Sequence, residues 1–251
     1  MIVLKSLQEI ELMRQAGRIV GEVLYELSQA VKPGITTAQL DILAVRCIRK
    51  NNAEPAFLGY NGFPASICVS VNEELVHGIP GLRRLKNGDI VSIDVGVHYK
   101  GYYGDAAATF PVGKVSSSAA QLIEVTRESL NRAIKKAIPG NRLYDISYAV
   151  QSYVESQGFS VIRSYVGHGI GSRLHEEPQV PNFGMPGKGP LLEPGMVLAI
   201  EPMVSAGTWE VETLGDQWTV VTRDRSLSAH FEHSVAILED GPKILTSFSG
   251  R

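Results

Sequence analysis

The sequence predicts an α/β (α+β) fold, built as a pseudo-twofold pair of helix-helix-strand halves around a central antiparallel sheet. Three observations carry that expectation. The order helix, Pro-Gly stop, helix, strands occurs twice, with the stops at Pro33-Gly34 and Pro139-Gly140. Between and after the helices, β-branched blocks replace the helical spacing, and one of them turns back on itself at a glycine. At 251 residues the chain has a length at which an α/β domain commonly stays undivided. The expected organisation is therefore one domain over residues 1–251, with related halves at about 1–115 and 116–251. Residue identity between the halves is slight, so the repeat rests on layout.

The elements follow in order. Ile10, Met13, Ala16, Ile19, Val20, Val23 and Leu27 recur at helical spacing, which predicts a first helix over about 7–31, stopped by Lys32-Pro33-Gly34. Thr36 with Gln39 forms a capping box that opens a second helix, running to about Asn51. Residues 67–71 and 89–97 read as strands, and Gly101 within 99–102 marks a hairpin turn. The second half repeats the order: helices over about 119–138 and 144–157, then strand blocks at 197–204 and 231–238.

Composition narrows the function. Lys+Arg 24 against Asp+Glu 26 leaves a net charge of −2 with no tract of like sign, so no footprint for nucleic acid or anionic lipid is present. Two cysteines, Cys47 and Cys68, are too few for a disulfide framework and suit a reducing compartment. Lys5 and Glu9 interrupt the first ten residues, and no later run is apolar enough to span a bilayer. The expectation is a cytoplasmic protein acting on small or peptidic substrates, with no membrane association.

Carboxylates inside apolar strands are the informative anomaly. Asp94 interrupts 90–97, and Asp105 follows the turn, so a hairpin centred near Tyr99 and Lys100 sets the two nearly opposite each other. Like charges so placed repel. A bulge that turns one residue outward, or a protonated carboxylate, accounts for a single pair as well as a bound cation does. Glu201 then interrupts 197–200, and Glu232 opens the run that ends at Leu238. Four carboxylates in one core are untenable without cations, and no lysine or arginine sits in these blocks, so divalent metal ions are the economical reading.

His168 stands in the glycine-rich segment 167–171, where the backbone can approach a neighbour closely. Added to four carboxylates, its imidazole gives a ligand count for two adjacent ions. His175 follows in 174–178, and His77 lies on a loop at 72–80 where spacing alone assigns it nothing. His98, His230 and His233 receive no role, and Glu73, Glu74, Glu176 and Glu177 read as solvated loop charges. No nucleophile elbow and no phosphate-cradling glycine pattern is present, so covalent acyl chemistry and nucleotide chemistry recede.

These segments, together with Met13-Arg14-Gln15-Ala16-Gly17, His77-Gly78-Ile79-Pro80, Ile200-Glu201-Pro202 and Phe231-Glu232-His233, occur in an order that resembles the type I methionine aminopeptidases of the pita-bread metallopeptidase fold. The resemblance covers essentially the whole chain. It implies a site for two divalent ions (Co, Mn, Fe or Zn) on Asp94, Asp105, His168, Glu201 and Glu232, with Asp105 and Glu232 bridging. It implies Glu201 as the base for an attacking water, His175 at the substrate carbonyl and its oxyanion, and His77 near the first peptide nitrogen. It also implies a methionine pocket lined by Tyr60, Phe63, Cys68 and Trp218. Leu174 stands where family members often carry an aromatic, and Asn61 where they often carry histidine.

The implied activity is removal of N-terminal methionine from nascent proteins and peptides, with a small residue preferred next. The partners are then polypeptide N-termini, with ribosome association and a monomeric state as further expectations. Xaa-Pro peptidases, which usually add a sizeable N-terminal domain, and metal-free binding relatives of the same fold are the alternatives. The full ligand set argues against the second.

Overall fold

The computed structural model describes residues 1–247, so positions 248–251 of the expected domain lie outside the described residues. Helix α1 (Leu7–Ala30) opens on a capping box between Ser6 and Glu9, and α2 (Thr37–Lys50) opens on the expected one between Thr36 and Gln39. In the second half α3 (Ser117–Ile134) and α4 (Leu143–Ser156) pack on each other as α1 and α2 do. α3 ends earlier than the apolar spacing predicts. Lys136 and Ala137 donate to carbonyls three residues back, at 2.9 and 3.0 Å, tightening the last turn ahead of Pro139.

The halves repeat at the level of single hydrogen bonds. Gly34 donates to Leu85 O at 2.8 Å and Leu85 donates to Ile35 O at 2.9 Å; in the second half Gly140 donates to Leu192 O at 3.2 Å and Leu192 to Asn141 O at 2.8 Å. Gly88 N to Val112 O and Gly195 N to Ile237 O, both 2.9 Å, close the matching corners after them. The pseudo-twofold arrangement is therefore visible in the backbone hydrogen bonds although residue identity between the halves is slight.

Each half builds an antiparallel ladder. In the first, Ile90–Tyr99 pairs with Tyr102–Pro111 without interruption, and Cys68–Val71 flanks it. In the second, Val197–Ile200 pairs with His233–Leu238, and Met203–Ser205 pairs with Ser228–His230. The expected strand at 197–204 is thus broken at 201–202, and the one expected at 231–238 begins at His233, with 231–232 separating it from Ser228–His230. Pro202 has no N–H to give to the ladder, and Glu201 O accepts from the Asn182 amide at 2.9 Å instead of from the partner strand. The two halves meet along 102–111 and 228–238. Glu232 N donates to Ala107 O at 2.9 Å, while the Thr109 hydroxyl donates to His230 O and the Ser234 hydroxyl to Asp105 O, at 2.9 and 2.8 Å.

Helices cover the sheet from outside. Leu24, Leu27, Leu40 and Ile48 bury against Val91, Ile93 and Val95 in the first half, and Leu122, Leu143 and Val150 against Leu198 and Ile237 in the second. These two cores leave the opposite face, between the halves, for the functional residues. No helix among the described residues is long and apolar enough to cross a membrane.

Candidate metal centre

The hairpin register differs from the sequence expectation. The turn is centred on Lys100-Gly101, so Asp94 pairs with Ala107 and Asp105 with Gly96. A shift of one residue at the turn moves the pairing by two, which keeps both aspartates on one face as diagonal neighbours. Across the break in the second half the register is continuous, from Ile200–His233 to Met203–His230, and this sets Glu201 opposite Glu232.

His168 is brought in by a short strand, Gly167–Gly169, sandwiched between Val197–Ile200 and Glu176–Val180. A Cβ on Gly167 would lie 2.3 Å from Ala199 O, and one on Gly169 would lie 2.2 Å from Glu177 O, so glycine is what lets this strand fit. His168 Nδ1 contacts Gly169 O at 2.9 Å. A carbonyl can only accept, so Nδ1 carries the proton and Nε2 is left as a lone pair facing the carboxylates. That nitrogen stands 3.7 Å from Glu201 Oε1.

Ligand atoms of Asp105, His168 and Glu232 all lie within 4.8 Å of one another, and all three residues are buried. Asp94 Oδ1, Asp105 Oδ1 and Glu232 Oε1 are buried with no hydrogen-bond partner among the described residues. Burial and the neighbouring carboxylates push Asp105 and Glu232 well above the usual carboxylate range. Burial pushes Asp94 up to about 6 and Glu201 to about 8. Burial also lowers His168 to about 3, holding it neutral, as a ligand must be. Orphaned buried oxygens, an unprotonated imidazole nitrogen and the absence of any lysine or arginine among the lining residues are the chemistry of a divalent-cation site.

The cluster lines one side of a cavity of about 240 Å³, and every residue expected to act or bind lines the same cavity: His77, His175, Tyr60, Phe63, Cys68 and Trp218. Phe63 and Cys68 are buried, Trp218 stands edge-on to Phe63 at 5.1 Å, and Tyr60 and His175 are exposed at the mouth. The Tyr60 hydroxyl meets His175 Nδ1 at 2.8 Å, and the His175 ring lies 4.2 Å from that of His168. His77 holds a left-handed backbone, φ 59°, with its ring edge-on to Tyr165 and Trp218. Burial lowers it to about 4. Leu174 and Asn61 also line the cavity.

Sequence reasoning missed His230. It is buried, its Nε2 has no hydrogen-bond partner and lies 3.6 Å from Glu201 Oε2, and it lines the cavity. His230 pairs with Met203 just beyond the break, as Asp105 pairs with Gly96 in the first half, a match that only the paired strands reveal. A second correction concerns Glu176, read as a solvated loop charge. It is buried in an ion pair with Lys5 at 2.7 Å.

A pseudo-twofold antiparallel core that sinks acidic side chains and imidazoles into a cavity with apolar and aromatic walls defines a metal-dependent hydrolase. The chain belongs to metallopeptidase family M24, whose model matches residues 11–239. It is 60% identical to a methionine aminopeptidase of Clostridium acetobutylicum, over 98% of this chain and 99% of that one. It is 58% identical to methionine aminopeptidase 1 of Bacillus subtilis, over 98% and 99%. Among solved structures, the methionine aminopeptidase of Thermotoga maritima superposes with a TM-score of 0.97 at 51% identity, covering 98% of this chain and 100% of that one.

Proposed function

We propose that this chain is a metal-dependent aminopeptidase that hydrolyses the first peptide bond of polypeptides beginning with methionine, preferring a small second residue. The observation that carries the reading is the orphaned oxygens of Asp94, Asp105 and Glu232 gathered with His168 and Glu201 at the wall of a pocket that Phe63, Cys68 and Trp218 also line. The high identity to methionine aminopeptidases supports the substrate.

Asp94, Asp105, His168, Glu201 and Glu232 would hold two divalent ions. Co, Mn, Fe and Zn all suit a carboxylate-imidazole set. When bound, such ions polarise the scissile carbonyl and ease deprotonation of water at neutral pH. Glu201, at the cavity wall, takes the proton of the attacking water and returns it to the leaving amine. With the Tyr60 hydroxyl donating a hydrogen bond to Nδ1 of His175, the imidazole keeps an Nε2–H to donate to the oxyanion. His77, neutral through burial, contacts the first peptide nitrogen. Tyr60, Phe63, Cys68 and Trp218 enclose the methionine thioether, for which soft and aromatic contacts are suited.

The reading includes one catalytic domain, monomeric and cytoplasmic, that meets nascent N-termini, including those at the ribosome. Metal-loaded protein is expected to release methionine from Met-Ala peptides, to lose that activity on chelation and to regain it with a divalent ion. Cleavage of Xaa-Pro peptides with Met-Ala spared would overturn the substrate assignment. A His77→Ala variant is expected to keep its metal and lose turnover.

A further inference from the structure

A buried ion pair sits outside the cavity and has no part in the chemistry above. Lys5 Nζ and Glu176 Oε2 meet at 2.7 Å, with both side chains under 5% exposed. Lys5 belongs to the irregular segment before α1, whose Met1, Val3 and Leu4 are exposed. It is fixed twice more: its N–H donates to Gly195 O at 2.7 Å, and its Nζ donates to Val3 O at 3.0 Å. Glycines clear its path. A Cβ on Gly171 would lie 2.5 Å from Lys5 Cε and 2.7 Å from Glu176 Oε1, and one on Gly195 would lie 2.9 Å from Lys5 O.

The other end of the pair adjoins the site. Glu176 directly follows His175, and its Oε1 accepts from Arg173 N at 3.1 Å, closing the turn that presents the imidazole. Glu176 also pairs with Gly169, next to the ligand His168, so residues 170–175 form an excursion whose base is held by this carboxylate. The His175 side chain itself is exposed and is held by the hydroxyl of Tyr60, which is exposed as well. Its placement over the cluster therefore rests on the backbone of 173–176. A buried pair of this kind adds little net stability compared with apolar packing, and its attested use is to fix one conformation.

We propose that Lys5 is a positioning residue for His175. Its ion pair with Glu176 clamps the N-terminal segment onto the base of the 170–175 excursion and sets the imidazole where the substrate carbonyl is met. The proposal rests on the role assigned to His175. An imidazole displaced by a fraction of an ångström costs transition-state stabilisation while methionine binding, which depends on other residues, is retained.

The test is a double-mutant cycle on the metal-loaded full chain, measuring kcat, KM for a Met-Ala peptide and bound metal. Lys5→Met is expected to lower kcat roughly ten-fold with KM and metal content unchanged. In a His175→Ala background, assayed at high enzyme concentration, Lys5→Met is expected to change nothing further. A purely structural lysine would instead lower the rate by the same factor in both backgrounds, and that result would overturn the clamp, as would wild-type kcat in the single variant. Full turnover in His175→Ala alone would sink the role of the histidine, which separates the two failures. Should Lys5→Met fail to fold, Lys5→Met/Glu176→Met removes the stranded carboxylate, and the same cycle is run with it. Glu176→Gln, which keeps the hydrogen bonds to Lys5 and Arg173, is expected to retain most of kcat.

Discussion

The two ladders of the molecule occupy equivalent places and do different work. Asp94 and Glu201 stand at matching positions, each five residues into the segment that follows the matched corners at Asp89 and Met196. The first ladder is closed from Ile90–Pro111 to Tyr99–Tyr102. The second opens at Glu201-Pro202 and Phe231-Glu232 and continues in another sheet. Closure holds a short aspartate against its strand, where burial raises it only to about 6, with His230 drawing it back down. Opening releases a longer glutamate toward the cavity, where burial alone takes it to about 8. Paired acids whose environments push their acidities apart are suited to different roles. On the proposed reading the closed ladder contributes two ligands, Asp94 and Asp105, and the open one contributes Glu232 and Glu201, of which Glu201 also takes the proton.

The largest effect that separates the two is on turnover. Glu201→Gln is expected to lower kcat by about three orders of magnitude, the range of a lost general base. Asp94→Asn is expected to act chiefly through metal affinity, with much of its loss recovered at high metal concentration. Steady-state rates across a metal titration distinguish them. If excess metal restores both variants equally, the halves are functionally alike and the comparison fails.

Next in size is Glu232→Ala, which gives the second ladder the residue that the first carries at the equivalent position, Ala107 opposite Asp94. The expected outcome is a loss of at least about 100-fold in metal affinity, read by calorimetry or by metal analysis after dialysis. Unchanged metal content with full activity would remove Glu232 from the site.

How much of this was legible follows from where the information lies. The first helix was readable from its apolar spacing and the second from the local Thr36/Gln39 cap, and the carboxylates stood out because charge inside a β-branched run has no local explanation. The hairpin register was not readable to the residue, because Tyr99, Lys100 and Gly101 allow more than one turn and only the paired strand decides. The break at Glu201-Pro202 was marked by its proline, but the sheet change it causes depends on Asn182 and Ala107, which are distant in sequence. His230 and Glu176 were misread for the same reason. The groups that face them, Glu201 and Lys5, arrive from elsewhere in the chain.

The smallest expected effect tests the electrostatic half of the comparison. Acids raised by burial bind protons more tightly in the folded chain than in the unfolded one. In metal-free protein their contribution is therefore fully present below the ordinary carboxylate value of about 4. It is lost as pH rises through about 6 for Asp94 and about 8 for Glu201. Bound cations remove that dependence by stabilising the ionised forms, so the gap in Tm between metal-loaded and chelated protein should widen by a few degrees from about pH 5 to about pH 8. Glu201→Gln should flatten the upper part of the metal-free curve, between about 6 and 8, while Asp94→Asn should flatten the part below about 6. Thermal melts with chelator at several pH values read both. Parallel curves for loaded and metal-free protein would mean that the carboxylates are not strained by burial, and the open ladder would then have no electrostatic reason to differ from the closed one.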